Sequence, residues 1–185
     1  FASVFVTRIK VNMRILFITS TRVGDAILST GLLDYLITQK PDAKITVACG
    51  GAAAPLFREV PGLEEVIILD KMVLSFHWLR LWVMCIGKFW GTVVDLRNSP
   101  IYYILPSIQH WRIGRTGAKT HRVRQLASIM GIKGDPPGPK LWISDHQRSF
   151  GKKIIGEGPP VIAIGPTANW RAKTWRAENF AELME

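Results

Sequence analysis

The sequence predicts an α/β protein with a Rossmann-like, mostly parallel sheet and helices on both faces. Residues 14–19 (RILFIT) read as a buried strand, and a short polar loop separates them from a helical stripe over 25–39. Strand-like runs then keep alternating with helical ones, which implies right-handed crossovers between parallel strands.

In the first helix Leu28, Leu32, Leu33, Leu36 and Ile37 make the apolar stripe. Residues 45–48 give a second strand, 53–60 a short helix, and 66–69 a third strand behind the Pro61-Gly62 turn. Residues 72–89 have helical length, 92–96 form another β-rich run, and 100–107 an irregular or helical connection. A fifth strand is expected over 110–113 and a loop over 114–119. An amphipathic helix follows over 121–130, where Val123, Leu126, Ala127 and Met130 keep i, i+3, i+4, i+7 spacing. Gly134-Asp-Pro-Pro-Gly-Pro139 is stiff and turn-rich and suits a domain edge. Beyond it a helix over 144–155, a buried strand over 161–164 and a helix over 177–184 are expected.

With 185 residues, 48% hydrophobic and 21% charged, the chain is of globular composition and of a size for little more than one domain. The longest apolar region, 73–90, is interrupted by His77, Arg80 and Lys88, so it does not read as a spanning helix. Cys49 and Cys85 alone make neither a disulfide framework nor a zinc site, and the histidines lack metal-site spacing. A reducing cytoplasm is therefore the expected compartment. The leader 1–12 runs into Met13, which reads as the native start.

The net charge of +10 is unevenly spread. From residue 71 to 134 Asp95 is the only acid among ten Lys and Arg, including Arg97, Arg115 and Arg122, the candidate anion-binding residues. Solvated helix faces, an anionic membrane and a phosphorylated substrate all fit that bias. The aromatics Phe76, Trp78, Trp82, Phe89 and Trp90 suit a packed core helix, contact at a headgroup layer, or a place flanking an acceptor.

No GxGxxG follows the first strand, and Gly114-Arg-Thr-Gly-Ala-Lys-Thr120 lacks the contiguous Gly-Lys-Ser/Thr of a phosphate loop. More informative is Thr19-Ser-Thr-Arg-Val-Gly-Asp25, at the carboxyl end of the first strand, where open α/β sheets take their ligands. Gly24 permits close approach to the backbone, with Arg22 beside it. Asp25 has two readings on the residues alone: a helix N-cap, or a carboxylate reaching a substrate hydroxyl. A second polar loop, 165–173, gathers Thr167, Asn169, Arg171 and Lys173 and would suit a diphosphate.

Taken together these segments resemble glycosyltransferase family 9, the lipopolysaccharide heptosyltransferase-like family. The resemblance rests on Met13-Arg-Ile-Leu-Phe-Ile with Val23-Gly-Asp25 and Leu28-Ser-Thr-Gly-Leu-Leu33. It continues in Val93-Val-Asp-Leu-Arg97, in His121 with Gln125-Leu126, and in Lys173-Thr-Trp175 followed by Glu178-Asn-Phe-Ala-Glu-Leu183. It implies a GT-B architecture of two Rossmann-like domains around a cleft, of which this chain is the N-terminal acceptor half, truncated early in the donor half. It also implies inverting, metal-independent transfer with no cofactor beyond a nucleotide diphosphate sugar such as ADP-heptose. Asp25 then takes the part of the general base. Lys173, with Thr167, stabilises the donor diphosphate.

The resulting division is a non-native or mis-annotated leader (1–12), an N-terminal Rossmann-like acceptor domain (13–140), a linker and helix (141–160) and the truncated start of a nucleotide-sugar domain (161–185). The implied acceptor is an anionic lipopolysaccharide core at the cytoplasmic face of the inner membrane, and no transfer is expected of so incomplete a chain. A basic Rossmann-like module that binds an anionic glycolipid or membrane without catalysis is the alternative. Nucleic acid is not an expected partner, since no recognition motif accompanies the charge.

Overall fold

β1 (Arg14–Ile18) alternates its side chains between two apolar layers: Ile15 and Phe17 enter one, Leu16 and Ile18 the other, all fully buried. Each such side chain contributes roughly 1.5–3 kcal/mol of burial, so β1 is held from both faces. The computed structural model describes residues 13–70, 76–114, 120–168 and 170–184. The expected leader, the start of the helix over 72–89, most of the 114–119 loop with Arg115, and Asn169 lie outside the described residues.

After β1 come α1 (Val23–Gln39), β2 (Lys44–Cys49), a 3-10 turn (Ala54–Phe57) and β3 (Leu63–Ile68). Then follow α2 (Phe76–Cys85), β4 (Trp90–Asp95), α3 (Ile101–Ile104), β5 (Ser107–Arg112) and α4 (Arg122–Ser128). The five strands form one parallel sheet in the order β3-β2-β1-β4-β5, the α/β fold expected from the sequence. α1, the 3-10 turn and α4 cover one face through Leu32, Leu33, Leu36, Phe57 and Leu126. α2 and α3 cover the other through Leu81, Cys85 and Ile101. Trp90 is fully buried on this second face, and its indole donates to the Cys85 carbonyl at 2.9 Å, tying α2 to β4. Of the aromatics considered for a headgroup layer, Trp90 is therefore core, and Trp78 and Trp82 pack against that core.

The fifth strand starts three residues earlier than its apolar pattern suggests, at Ser107, because pairing with Trp90 begins there. The Pro-rich segment passes across α1 instead of leading straight away. Lys140 N donates to Thr30 Oγ1 at 2.9 Å, the Lys140 ammonium pairs with Asp34 at 2.7 Å, and Trp142 joins the first apolar layer. The chain divides into two compact units between Ile143 and Ser144.

The second unit holds α5 (Asp145–Ile155) and α6 (Ala177–Met184). Ser144 caps α5 in a capping box with Gln147. The buried strand expected over 161–164 does not form: Val161 and Ile162 are 64% and 75% exposed. A parallel strand exists only by bonding to a neighbour, and the described residues of this unit contain no other strand.

Gly31 sits where α1 meets the Pro-rich segment, and a Cβ there would run into the carbonyl oxygens of Pro137 and Gly138. Helix propensity alone would make Gly31→Ala stabilising by about 1 kcal/mol. The contact reverses the sign, and Gly31→Ala is expected to cost about 1–3 kcal/mol. Urea unfolding followed by tryptophan fluorescence reads the sign directly; a raised midpoint would contradict the packing described.

Candidate functional site

In this strand order the winding reverses between β1 and β4, which opens a crevice at their carboxyl ends. Two loops border it, one leading from β1 into α1 and the other from β4 into α3.

The first loop is clamped from beneath. Thr19 is buried, its amide donates to the Ala48 carbonyl at 2.8 Å, and its hydroxyl bonds Ser29 of α1 at 2.8 Å. Ser29 in turn donates to the Ala26 carbonyl. Gly50, just past β2, lies against Thr21 so closely that a Cβ there would come within 2.6 Å of the Thr21 Cα. Arg22 occupies the N-cap position with extended backbone and no side-chain cap. Its amide donates to Ser20 Oγ at 3.1 Å. Asp25 is thus not the N-cap that one reading of the sequence allowed; it stands in the first turn of α1. It is half-buried and makes no hydrogen bond or ion pair among the described residues. Gly24 is exposed, and a Cβ placed on it would meet nothing within 4 Å. The first-turn amides, which have no intrahelical acceptors, are therefore open on this side.

The second loop is organised by Asp95, a fully buried carboxylate. It accepts from the Arg97 amide at 2.8 Å, the Ser99 amide at 2.6 Å and the Ser99 hydroxyl at 2.8 Å. Between them Asn98 takes a left-handed conformation (φ 54°), and its side-chain oxygen accepts from Arg112 Nε at 2.9 Å. Arg112 also bonds the Tyr103 hydroxyl and lies over the Tyr102 ring. This bracing presents Arg97, whose guanidinium rests 4.9 Å over the Trp78 ring of α2. Its buried Nη1 has no hydrogen-bond partner among the described residues. Burial works against the charge of Arg97, partly offset by the nearby Asp95 carboxylate. A cation so placed favours an incoming anion.

Asp95 was not picked out as a site residue from the sequence, and Trp78 was singled out only as one of five aromatics on the basic stretch. The available signal for Asp95 was its position as the lone acid of the basic stretch. Arg122, at the start of α4, is half-buried and bonds Gln125 at 3.3 Å. In the second unit Thr167 is exposed in a loop, and exposed Lys173 closes a 3-10 turn (Arg171–Lys173), its amide bonded to the Trp170 carbonyl. The expected base and the expected diphosphate cation thus belong to different compact units. Among the described residues no three His, Cys, Asp or Glu side chains gather as metal ligands, and no helix is long and apolar enough to cross a membrane.

Sheet order and crevice define the class: a doubly wound parallel α/β domain of the GT-B-like type. Residues 102–185 match the sequence model of glycosyltransferase family 9 (heptosyltransferase). Among solved structures, the chain is similar to a family 9 glycosyl transferase from Veillonella parvula, with a TM-score of 0.64 and 17% identity. The similarity covers 93% of this chain and 59% of that one. It is also similar to the E. coli heptosyltransferase WaaC, solved with ADP, at a TM-score of 0.60 and 12% identity, covering 93% of this chain and 63% of that one. None of the curated proteins matches. The chain thus spans about three fifths of the solved relatives; the resemblance to glycosyltransferase family 9 is borne out by the family model over residues 102–185, and the fold by both structures.

The Asp95 carboxyl is held above the usual carboxylate range, because burial outweighs the hydrogen bonds it accepts and the attraction of Arg112. A raised native value means that the folded protein binds this proton more readily than the unfolded chain. The stabilisation is therefore full below the ordinary carboxylate value and is lost as pH rises through the native one. Asp95→Asn leaves one loop donor facing an amide NH2 and is expected to cost about 1–3 kcal/mol at pH 7. The deficit should widen as pH falls from 7 towards 4. Denaturant titrations of both proteins across that range check this; a deficit that shrinks towards acid pH would contradict the assigned direction.

Proposed function

We propose that the chain supplies the acceptor side and the donor-diphosphate loop of an inverting glycosyltransferase of the heptosyltransferase type. The observation that carries the reading is Asp25: a half-buried carboxylate in the first turn of α1, at the sheet's switch point, with no partner among the described residues. As an acceptor hydroxyl attacks the anomeric carbon of the donor, its proton passes to Asp25. The bond from that carbon to the diphosphate breaks on the opposite side, and the nucleoside diphosphate leaves. Lys173 and Thr167 are the groups we assign to the charge that develops there. We take residues 161–185 as the opening of the donor side, ADP-heptose as the donor, and no further cofactor or metal ion as required.

The acceptor in this reading is an anionic lipopolysaccharide core. Arg97 is its best-supported recognition group, because its buried Nη1 has no partner among the described residues and burial works against its charge. Arg122 and Arg115 are assigned to the same acceptor, and Arg22 and Gly24 to the cleft beside Asp25. Such a substrate sets the protein to work on the cytoplasmic face of the inner membrane, as a peripheral protein.

The test uses the whole translated product that carries this sequence, assayed for heptose transfer. Asp25→Asn is expected to lower kcat by about 10²–10⁴-fold, the usual contribution of a general base, with acceptor binding little changed. Lys173→Ala should weaken use of the donor without altering acceptor affinity. Full activity in Asp25→Asn would remove the general-base assignment, and no transfer by the wild-type product would leave a binding module as the better reading.

A further inference from the structure

We propose that the outward face of α2 docks the protein onto an anionic lipid surface. The inference rests on the glycolipid-acceptor reading only for its biological sense; its physical argument lies in α2 itself.

A helix that covers a sheet normally turns apolar residues inward and polar ones to solvent. α1 does so at its outward positions Thr38 and Gln39, both exposed. α2 does not. Its inward positions are His77, Leu81 and Cys85, spaced by one turn, and all are buried. Its outward positions Phe76, Leu79 and Val83 are apolar as well, at 50%, 52% and 61% exposed. Ile86 and Phe89, in the turn after the helix, add 46% and 59%. The spacing 76, 79, 83, 86 keeps one side of the helix continuous. α3, which packs beside α2 on the same layer, adds exposed Tyr103 and Ile104.

Charge decides between the possible occupants. From residue 71 to 134 the only acid is Asp95, and it is fully buried, so no carboxylate from this stretch reaches the surface around the stripe. Arg80, on α2 itself, is exposed. Glu65 of β3 reaches the turn after α2, but it is already paired with Lys88 at 2.9 Å, so a second copy of the chain docked symmetrically would set a basic surface against itself. An anionic bilayer complements both features: the stripe enters the acyl boundary while Arg80 stays with the headgroups. The same helix carries Trp78, on which Arg97 rests at the carboxyl edge of the sheet. Docking through α2 therefore brings the crevice to the bilayer surface, where a glycolipid headgroup stands.

Co-sedimentation of the chain with vesicles tests this, using phosphatidylglycerol and phosphatidylethanolamine against phosphatidylcholine alone, with neither acceptor nor donor present. Binding to the anionic vesicles is expected, weakened by salt. Leu79→Ser/Val83→Ser, which leaves the net charge unchanged at two exposed positions, is expected to lower the partition coefficient by about tenfold or more. Far-UV circular dichroism of the variant establishes that it is folded. Equal partitioning of variant and wild type, or no binding of wild type to anionic vesicles, would overturn the proposal. So would a wild-type dimer that the double variant dissolves without any vesicle binding, which would make the stripe an interface between copies. Because the vesicles contain no substrate, failure here leaves the transferase reading standing, and failed transfer with intact vesicle binding removes only that reading.

Discussion

The pairing of β1 with parallel neighbours on both sides is the constraint on which the rest of the structure depends. Every described backbone contact of the sheet's centre passes through this one strand, whose residues 15–18 are fully buried. From β1 the chain winds out to β2 and β3 over one face. It then crosses by α2 over the other face to β4 and winds out to β5. Right-handed crossovers leave no other route once the direction changes. The loops that follow β1 and β4 consequently diverge, one to each face, and the crevice between them follows from topology before any side chain is chosen.

What fills the crevice's borders is set by local chemistry of two kinds. The β1 loop is fastened through a hydroxyl pair, Thr19 with Ser29, and through the absence of a side chain at Gly50. Those fastenings leave the first turn of α1 uncapped and Asp25 unengaged by its described neighbours. The β4 loop is fastened by the opposite device, a buried carboxylate that gathers three donors and so fixes a left-handed residue. Asp95 spends its acceptor capacity on its own loop. The cation two residues on is thereby left over an aromatic ring with a buried nitrogen that has no partner among the described residues. One border offers a carboxylate and open amides, the other a cation: a combination that suits a polyhydroxylated, negatively charged molecule more than an apolar one.

Much of this was legible in the sequence, and the exceptions have physical reasons. β1 and α1 read cleanly because a strand buried on both faces is apolar throughout, and a helix on a sheet repeats every three to four residues. Asp25 was placed at the right helix end from its position after that strand, although its exact station in the first turn needed the backbone. The run at 161–164 misled because an apolar β-rich sequence states a propensity, whereas a strand requires a bonded neighbour. The burial of Trp90 and the half-exposure of Trp78 could not be separated by composition, since only the register of β4 decides which indole enters the core. Asp95 escaped notice as an organiser because two of its three donors are backbone amides, which leave no pattern in the sequence. The outward stripe of α2 stayed undecided between core and headgroup contact for a related reason: a helix apolar on two sides reads as fully buried until its neighbours are known.

The central claim is that the carboxyl edge between β1 and β4 receives the acceptor sugar. Amide chemical-shift mapping of the chain, titrated with a deacylated core oligosaccharide and separately with nucleotide sugar, tests it most directly. The oligosaccharide is expected to perturb the amides of residues 19–25 and 96–99 and to leave the amino-end loops of the sheet unmoved. Perturbations confined to the opposite edge, or none at concentrations where the sugar binds, would contradict it.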